Sequence, residues 1–89
     1  MKKLYRIYTE DKDRQGIIEL ASTHFKGFTV CPAYGYWEGI PESSIIIEIQ
    51  VDGTDIERNQ VYKLAQDIKV QNKQQAVLVI EIECTGSLV

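Results

Sequence analysis

Residues 34–39, YGYWEG, form the segment with the clearest potential for binding chemistry. Three aromatic side chains lie there beside two glycines. Aromatic rings can stack on a planar ligand, and glycines allow a ligand to approach the backbone closely. The alternative is packing between subunits, because Tyr and Trp are also enriched in protein interfaces. For a ligand held in a cleft between subunits, the predicted binding residues are Arg6, Tyr34, Tyr36, Trp37 and Glu42.

A second group of residues has side chains suited to acid–base catalysis. Two carboxylates can act as acid and base when burial separates their pKa values. Glu81 and Glu83, however, alternate along a predicted strand, which is typical of a solvated or salt-bridged rim. We therefore assign no catalytic residue and expect a protein that is not an enzyme. A small enzyme that uses Glu48, Glu81 and His24 is the alternative.

The residue types that bind metals do not occur at metal-site spacing. Cys31, Cys84 and His24 lack the C-x-x-C or H-x-x-x-H patterns of zinc sites. Neither a glycine-rich phosphate loop nor the strained serine turn of a hydrolase is present. We predict no metal and no cofactor, and we expect both cysteines to be reduced in a chain that is not secreted.

The composition indicates a folded domain and excludes several classes of partner. A chain of 89 residues cannot build two separate cores, so we expect one domain over residues 1–89. The net charge is -3, and the Lys and Arg residues are scattered, which disfavours nucleic-acid binding. No stretch has the length and apolar character of a signal peptide or a membrane span. We therefore predict a cytoplasmic protein without a membrane partner.

Four strands are expected to position these residues. Each is a run of β-branched, aliphatic or aromatic residues bounded by polar or turn-forming residues. Pro32 places the second strand at an edge of the sheet, because proline cannot donate a ladder hydrogen bond. The predicted strands are residues 2–9, 28–38, 44–51 and 76–83, with residues 39–43, GIPES, as the turn between the second and third.

Two helices are predicted from apolar residues at helical spacing. The first lies within residues 11–26, where Asp11 or Asp13 can cap its start and Gly27 can end it. The second begins at Thr54, which forms a capping box with Glu57. The order βαββαβ predicts an α+β, ferredoxin-like fold: a four-stranded antiparallel sheet, ordered 4-1-3-2, with both helices on one face.

The other face of this sheet needs a cover or a polar surface. Alternation places Ile46 on the side turned away from the helices. We predict the same side for Val77 and Val79, whereas Leu78, Ile80 and Ile82 would face the helices. Such a patch is larger than a monomer usually exposes to water, so we predict a homo-oligomer, either a dimer or a trimer. The predicted interface residues are Tyr8, Ile46, Val77 and Val79.

The segment YGYWEGIPESSIIIEI, residues 34–49, resembles the second and third strands of the CutA proteins, which belong to the PII-like superfamily. Those chains carry a Tyr-x-Trp-x-Gly hairpin, then an acidic residue and an aliphatic strand. Tyr34 or Tyr36 with Trp37, Gly39 and Glu42 match this pattern, and the strand is residues 45–49. Residues 48–50, EIQ, depart from this pattern, since CutA usually ends the strand in Lys-Thr. The resemblance therefore implies no metal-binding or nucleotide-binding residues in this chain. The resemblance implies a ferredoxin-like protomer, trimers, and ligands bound in clefts between subunits.

These observations together favour a non-enzymatic homo-oligomer that binds a small ligand, with nucleotides as candidates, and that regulates a process or sequesters its ligand. A protein-interaction module that places the uncovered sheet face against a different partner is the second reading.

Overall fold

The chain folds into four strands and two helices in the order βαββαβ. The structure is a computed structural model that describes residues 2–89. The strands lie in one antiparallel sheet in the order β2-β3-β1-β4, which confirms the predicted ferredoxin-like fold and the edge position of the strand with Pro32. The elements are β1 (Lys2–Glu10), α1 (Arg14–His24), β2 (Thr29–Trp37), β3 (Ile40–Val51), α2 (Asp55–Gln71) and β4 (Leu78–Cys84).

Both helices begin with a side-chain cap. At α1 the carboxylate of Asp13 accepts a hydrogen bond from the Gly16 amide at 3.0 Å. At α2 the predicted capping box is present: the Thr54 hydroxyl accepts from the Glu57 amide at 3.2 Å, and Glu57 accepts from the Thr54 amide at 3.0 Å. The hydrogen bonds that the Glu57 carboxylate accepts lower its pKa, with the bond from the Thr54 backbone as the largest cause. The start of α2 is therefore fixed locally.

The end of α1 differs from the prediction. The helix stops at His24, and its capping residue Phe25 is extended, so the chain leaves the helix before Gly27. The ring of Phe25 packs against the core, which fixes this exit by burial of an apolar side chain.

The core lies between the helices and one face of the sheet, which we call the helix face. Alternation along β1 and β3 sends every second side chain to this face. The fully buried members come from β1, β3 and the two helices, and they are Tyr5, Ile7, Ile17, Ala21, Ile45, Ile47, Ile49, Val61, Leu64 and Ile68.

The side-chain directions predicted for β4 were wrong. Tyr5 pairs with Glu81 and Ile7 with Val79, so Val77 and Val79 pack toward the core. Residues on both sides of this strand are aliphatic, and a shift of one residue exchanges its faces, so alternation alone did not fix the register. The residues on the opposite side, which we call the open face, are Leu78, Ile80 and Ile82.

Within residues 2–89, no helix is both long enough and apolar enough to cross a membrane.

Candidate functional site

The β2–β3 hairpin extends past the rest of the sheet. The pairing of β1 with β3 ends at Glu10 and Ser44, whereas β2 and β3 stay paired as far as Trp37 and Ile40. We call residues 34–42 the hairpin arm. On its β3 side the arm reaches Ile40, four residues or about 13 Å beyond the last full rung of the sheet at Ser44, at ~3.3 Å per residue.

A two-residue turn closes the arm. Glu38 has φ 51° and Gly39 has φ 78°, both in the left-handed region. Two consecutive residues of this kind are typical of the type I′ turn, whose twist matches that of the flanking strands. The predicted turn at residues 39–43 was therefore wrong: β3 begins at Ile40, and Pro41 pairs with Tyr36 inside the ladder. Proline is tolerated at position 41 because no third strand pairs with the arm, so β3 lies at a sheet edge there.

The arm carries aromatic side chains on both of its faces. Tyr34 is 78% exposed, Tyr36 73% and Trp37 69%. Trp37 and Glu42 alternate with the open-face residues, whereas Tyr34 and Tyr36 lie on the other side. The predicted aromatic group is therefore divided between two surfaces of a thin ribbon. A flat ligand can stack on either surface, but one ligand cannot contact all three rings of one arm.

The open face is apolar around one ion pair. Tyr8 and Ile46 lie on this face as predicted, and the aliphatic side chains of β4 replace the two predicted valines. Arg6 and Glu48 lie opposite each other on β1 and β3, with Arg6 Nε 2.7 Å from Glu48 Oε2. The apolar side chains of β1, β3 and β4 on this face are Leu4, Tyr8, Ile46, Leu78, Ile80 and Ile82.

The structure does not bring Arg6 to the aromatic residues within one protomer. Arg6 pairs with Glu48, and Trp37 pairs with Ile40. Eight residues of β3 separate these two rungs, which is about 26 Å at ~3.3 Å per residue. The predicted ligand set of Arg6, Tyr34, Tyr36, Trp37 and Glu42 therefore requires side chains from different copies of the chain.

A groove of about 550 Å³ lies at the end of the open face away from the arm. Phe28 and residues 86–88 line its sides, and Leu4 and Gln50 contribute to its floor. Gly86 lies against the side-chain amide of Gln50, which would have to move to make room for a side chain at position 86. No sequence pattern predicts this groove, because residues 85–89 follow the last strand without hydrophobic periodicity.

The residues of the alternative catalytic set lie in separate places. Glu48 faces Arg6 on the open face, whereas Glu81 is on the helix face. His24 Nε2 lies 3.2 Å from Asp67 Oδ2 between the two helices. Lys63 and His24 lower the pKa of Asp67, with the hydrogen bond from Lys63 as the larger cause. These contacts stabilise separate surfaces and do not form an acid–base pair among Glu48, Glu81 and His24.

Glu81 instead belongs to a polar cluster between β1, β4 and α2. It lies 3.0 Å from Lys3 Nζ and 3.7 Å from Arg58 Nε, and it accepts a hydrogen bond from the Tyr5 hydroxyl at 3.1 Å. The bond from Lys3 is the largest cause of the lowered pKa of Glu81. Burial raises the pKa of Tyr5, and the bond to Glu81 adds to this. Both shifts favour an ionised Glu81 beside a protonated Tyr5.

No family model and no curated protein matches the sequence, but solved structures do. CPII, a nitrogen regulatory PII-like protein from Thiomonas intermedia bound to ADP, AMP and bicarbonate, is 18% identical, with a TM-score of 0.63 over 98% of this chain and 96% of that one. CutA from Synechococcus elongatus, complexed with Bis-Tris, is 11% identical, with a TM-score of 0.64 over 99% and 84%. The chain has the fold of the CutA and PII-like proteins.

A third solved structure broadens this comparison. A phage SAM lyase in its apo state is 16% identical to the chain, with a TM-score of 0.72 over 90% of this chain and 78% of that one. At these identities the likeness shows the fold alone. The resemblance read from residues 34–49 is thereby confirmed for the fold of the whole chain.

Proposed function

We propose that the chain is a cytoplasmic homo-oligomer that binds a small ligand carrying an adenine group, and that it regulates or sequesters this ligand without chemical change. The observation that carries the proposal is the hairpin arm, which exposes Tyr34, Tyr36 and Trp37 at one end of an apolar sheet face.

The open face supports self-association. Leu78 is 57% exposed and Ile82 36%, and Tyr8, Ile46 and Ile80 are only partly covered. A contiguous apolar surface of this kind is typical of protein interfaces. A second copy that covers it buries apolar area on both partners.

The two edges of the sheet are protected, which favours association through the face. Pro32 in β2 lacks an amide donor, so this edge cannot form a continuous ladder with a further strand. In β4, Glu81 is a charged side chain that points to the helix side, and such inward charges discourage pairing at edge strands. We therefore infer that copies meet at the open face.

The aromatic arm supports an adenine-bearing ligand. Purine rings stack on Tyr and Trp side chains, and this stacking contributes ~1–3 kcal/mol per base. Glu42 lies on the same side of the arm as Trp37 and offers carboxylate oxygens to ribose hydroxyls. Among proteins of the same fold, CPII is described with ADP and AMP, and SAM, the substrate of the phage lyase, also contains adenosine. Arg6 joins such a site only from a neighbouring copy.

Tryptophan fluorescence tests the ligand, because Trp37 is the single tryptophan. Titration with AMP, ADP and S-adenosylmethionine is expected to quench its emission in a saturable manner. Tyr36→Ala should weaken binding of the preferred ligand, whereas Tyr62→Ala, a partly exposed tyrosine on α2, should leave it unchanged. No saturable response to any of the three ligands in the assembled protein would contradict the proposed ligand class.

Sedimentation of the unliganded protein tests the assembly. A dimer or trimer at micromolar concentration supports self-association, and a monomer would instead favour the use of the open face on a different protein. Native mass spectrometry reports the stoichiometry and any retained adenine compound together. Product analysis after incubation with S-adenosylmethionine checks the enzymatic alternative, for which we expect unchanged substrate.

A further inference from the structure

The ion pair on the open face is positioned where an oligomer would bury it. Arg6 and Glu48 occupy the two central strands, and their side chains are 37% and 34% exposed. Ile80 lies opposite Arg6 on the same rung, and Ile46 is the next open-face residue of β3 beside Glu48. Any partner that covers the aliphatic residues must therefore also cover this pair.

The pair leaves hydrogen-bonding capacity unused. It joins Nε of Arg6 to Oε2 of Glu48, so the two terminal amino groups of the guanidinium and the second carboxylate oxygen lie outside it. The hydrogen bond to Glu48 is the largest cause of the raised pKa of Arg6, and Tyr8 adds to it. An apolar partner would exclude water from these donors and from the second carboxylate oxygen without offering hydrogen bonds in its place. Such a loss is unfavourable for charged groups.

A second copy of the chain satisfies both charges. At the centre of the open face a cation and an anion lie side by side, so the same two residues on a neighbouring copy provide a carboxylate for Arg6 and a guanidinium for Glu48. Arg6 bonds its own Glu48 through Nε, so its terminal amino groups can bind the Glu48 carboxylate of a neighbour at the same time. The charge pattern of the face is thus complementary to itself.

We infer that Arg6 of one copy binds Glu48 of the next, and that these contacts between copies fix how the open faces align. The inference rests on the self-association in the proposed function and adds the residues that make it specific. It gives Arg6 a role in assembly in place of ligand binding. The aliphatic residues supply most of the buried area, and the charge pair selects another copy of the same chain over an unrelated apolar surface.

Charge reversal tests this inference. In Arg6→Glu each contact between residue 6 of one copy and residue 48 of the next becomes a repulsion between two carboxylates. In Glu48→Arg the same contact becomes a repulsion between two guanidinium groups. Each single variant is expected to raise the dissociation constant of the oligomer about 30-fold or more, as for buried interfacial charge pairs. The double variant, Arg6→Glu with Glu48→Arg, restores opposite charges and should assemble again. Lys63→Glu, which breaks an exposed ion pair on α2, serves as the matched control and should assemble like the wild type.

Mixing the two single variants separates a contact between copies from one within a copy. Each variant alone carries like charges on its own face, but the two faces are opposite in charge to each other. Equimolar mixing should therefore restore association between unlike copies that neither variant shows alone, measured by sedimentation velocity with circular dichroism as the check on folding. Mixed variants that stay apart, or single variants that assemble like the wild type, would overturn the inference. A wild-type monomer would instead remove the self-association on which it rests.

Discussion

The hydroxyl of Tyr5 donates a hydrogen bond to the carboxylate of Glu81 across β1 and β4, at 3.1 Å. Tyr5 is fully buried in the core, and the Glu81 carboxylate also forms an ion pair with Lys3, whose Nζ lies 3.0 Å from Glu81 Oε1. This contact fixes the register of β4, because a shift of one residue would move Glu81 away from both partners. The register in turn places Leu78, Ile80 and Ile82 on the open face.

Loss of the Tyr5 hydroxyl should therefore cost measurable stability. We expect Tyr5→Phe to lower the free energy of unfolding by about 1 kcal/mol, the typical net value of a hydrogen bond. Urea denaturation followed by circular dichroism measures this change. Tyr62→Phe removes a hydroxyl from a partly exposed tyrosine and should change the value by less than ~0.5 kcal/mol. Equal effects of the two substitutions would contradict the structural role of the Tyr5–Glu81 bond.

The two faces of β4 should respond in opposite ways to an introduced charge. Leu78→Asp places a carboxylate on the open face, so it should weaken self-association and leave the protomer folded. Val79→Asp places one beside the core, so it should unfold the protomer, because an unpaired buried charge is strongly unfavourable. Sedimentation and circular dichroism distinguish these outcomes, and an unfolded Leu78→Asp beside a folded Val79→Asp would reverse our assignment of the faces.

The turn of the hairpin arm predicts opposite signs for two neighbouring substitutions. Gly39→Ala should destabilise by about 1 kcal/mol, since L-residues disfavour its left-handed backbone. Glu38→Gly should be neutral or stabilising by a few tenths of a kcal/mol, because Glu38 has a positive φ that glycine adopts without strain. Thermal unfolding measures both. A more stable Gly39→Ala would mean that the turn has another geometry.

The pH dependence of stability should be a loss at acidic pH. The pKa values of Glu57, Asp67 and Glu81 are lowered in the folded state, so each group binds its proton more weakly folded than unfolded. Their stabilisation is fully present above the unfolded pKa values, 4.5 for Glu and 3.8 for Asp, and it is lost as the pH falls through the lower folded values.

Glu57→Gln isolates one part of this effect. Glutamine can keep the capping box with Thr54 but carries no charge, so the variant should be less stable at pH 7 and lose less stability below pH 4.5. Denaturation at several pH values gives the two slopes, and identical slopes for variant and wild type would show that Glu57 does not contribute.

Some parts of this architecture follow from local sequence rules, and others do not. Thr54 and Glu57 identify the start of α2 because both partners of the capping box lie within one turn. The alternation in β3 is also clear, since Glu48 interrupts its open side. In contrast, β4 is aliphatic on both sides, and its facing depends on a distant contact of Tyr5 with Glu81.

The candidate site was predictable to a similar extent. The aromatic segment identified the hairpin, and the alternation of side chains along β2 placed Trp37 on the same side as the open face. The length of the arm was missed, because Pro41 and Ser43 are turn-forming residues that here lie in a paired strand. The division of Tyr36 from Trp37, and the distance to Arg6, depend on strand register and could not be read from composition.

The exposed arm also has an evolutionary consequence. Trp37, Tyr36 and Ile40 contribute almost nothing to the core, since each is at least 64% exposed. Mutations at these positions can therefore accumulate without unfolding the protein, and selection can change what the tip recognises while the scaffold stays constant.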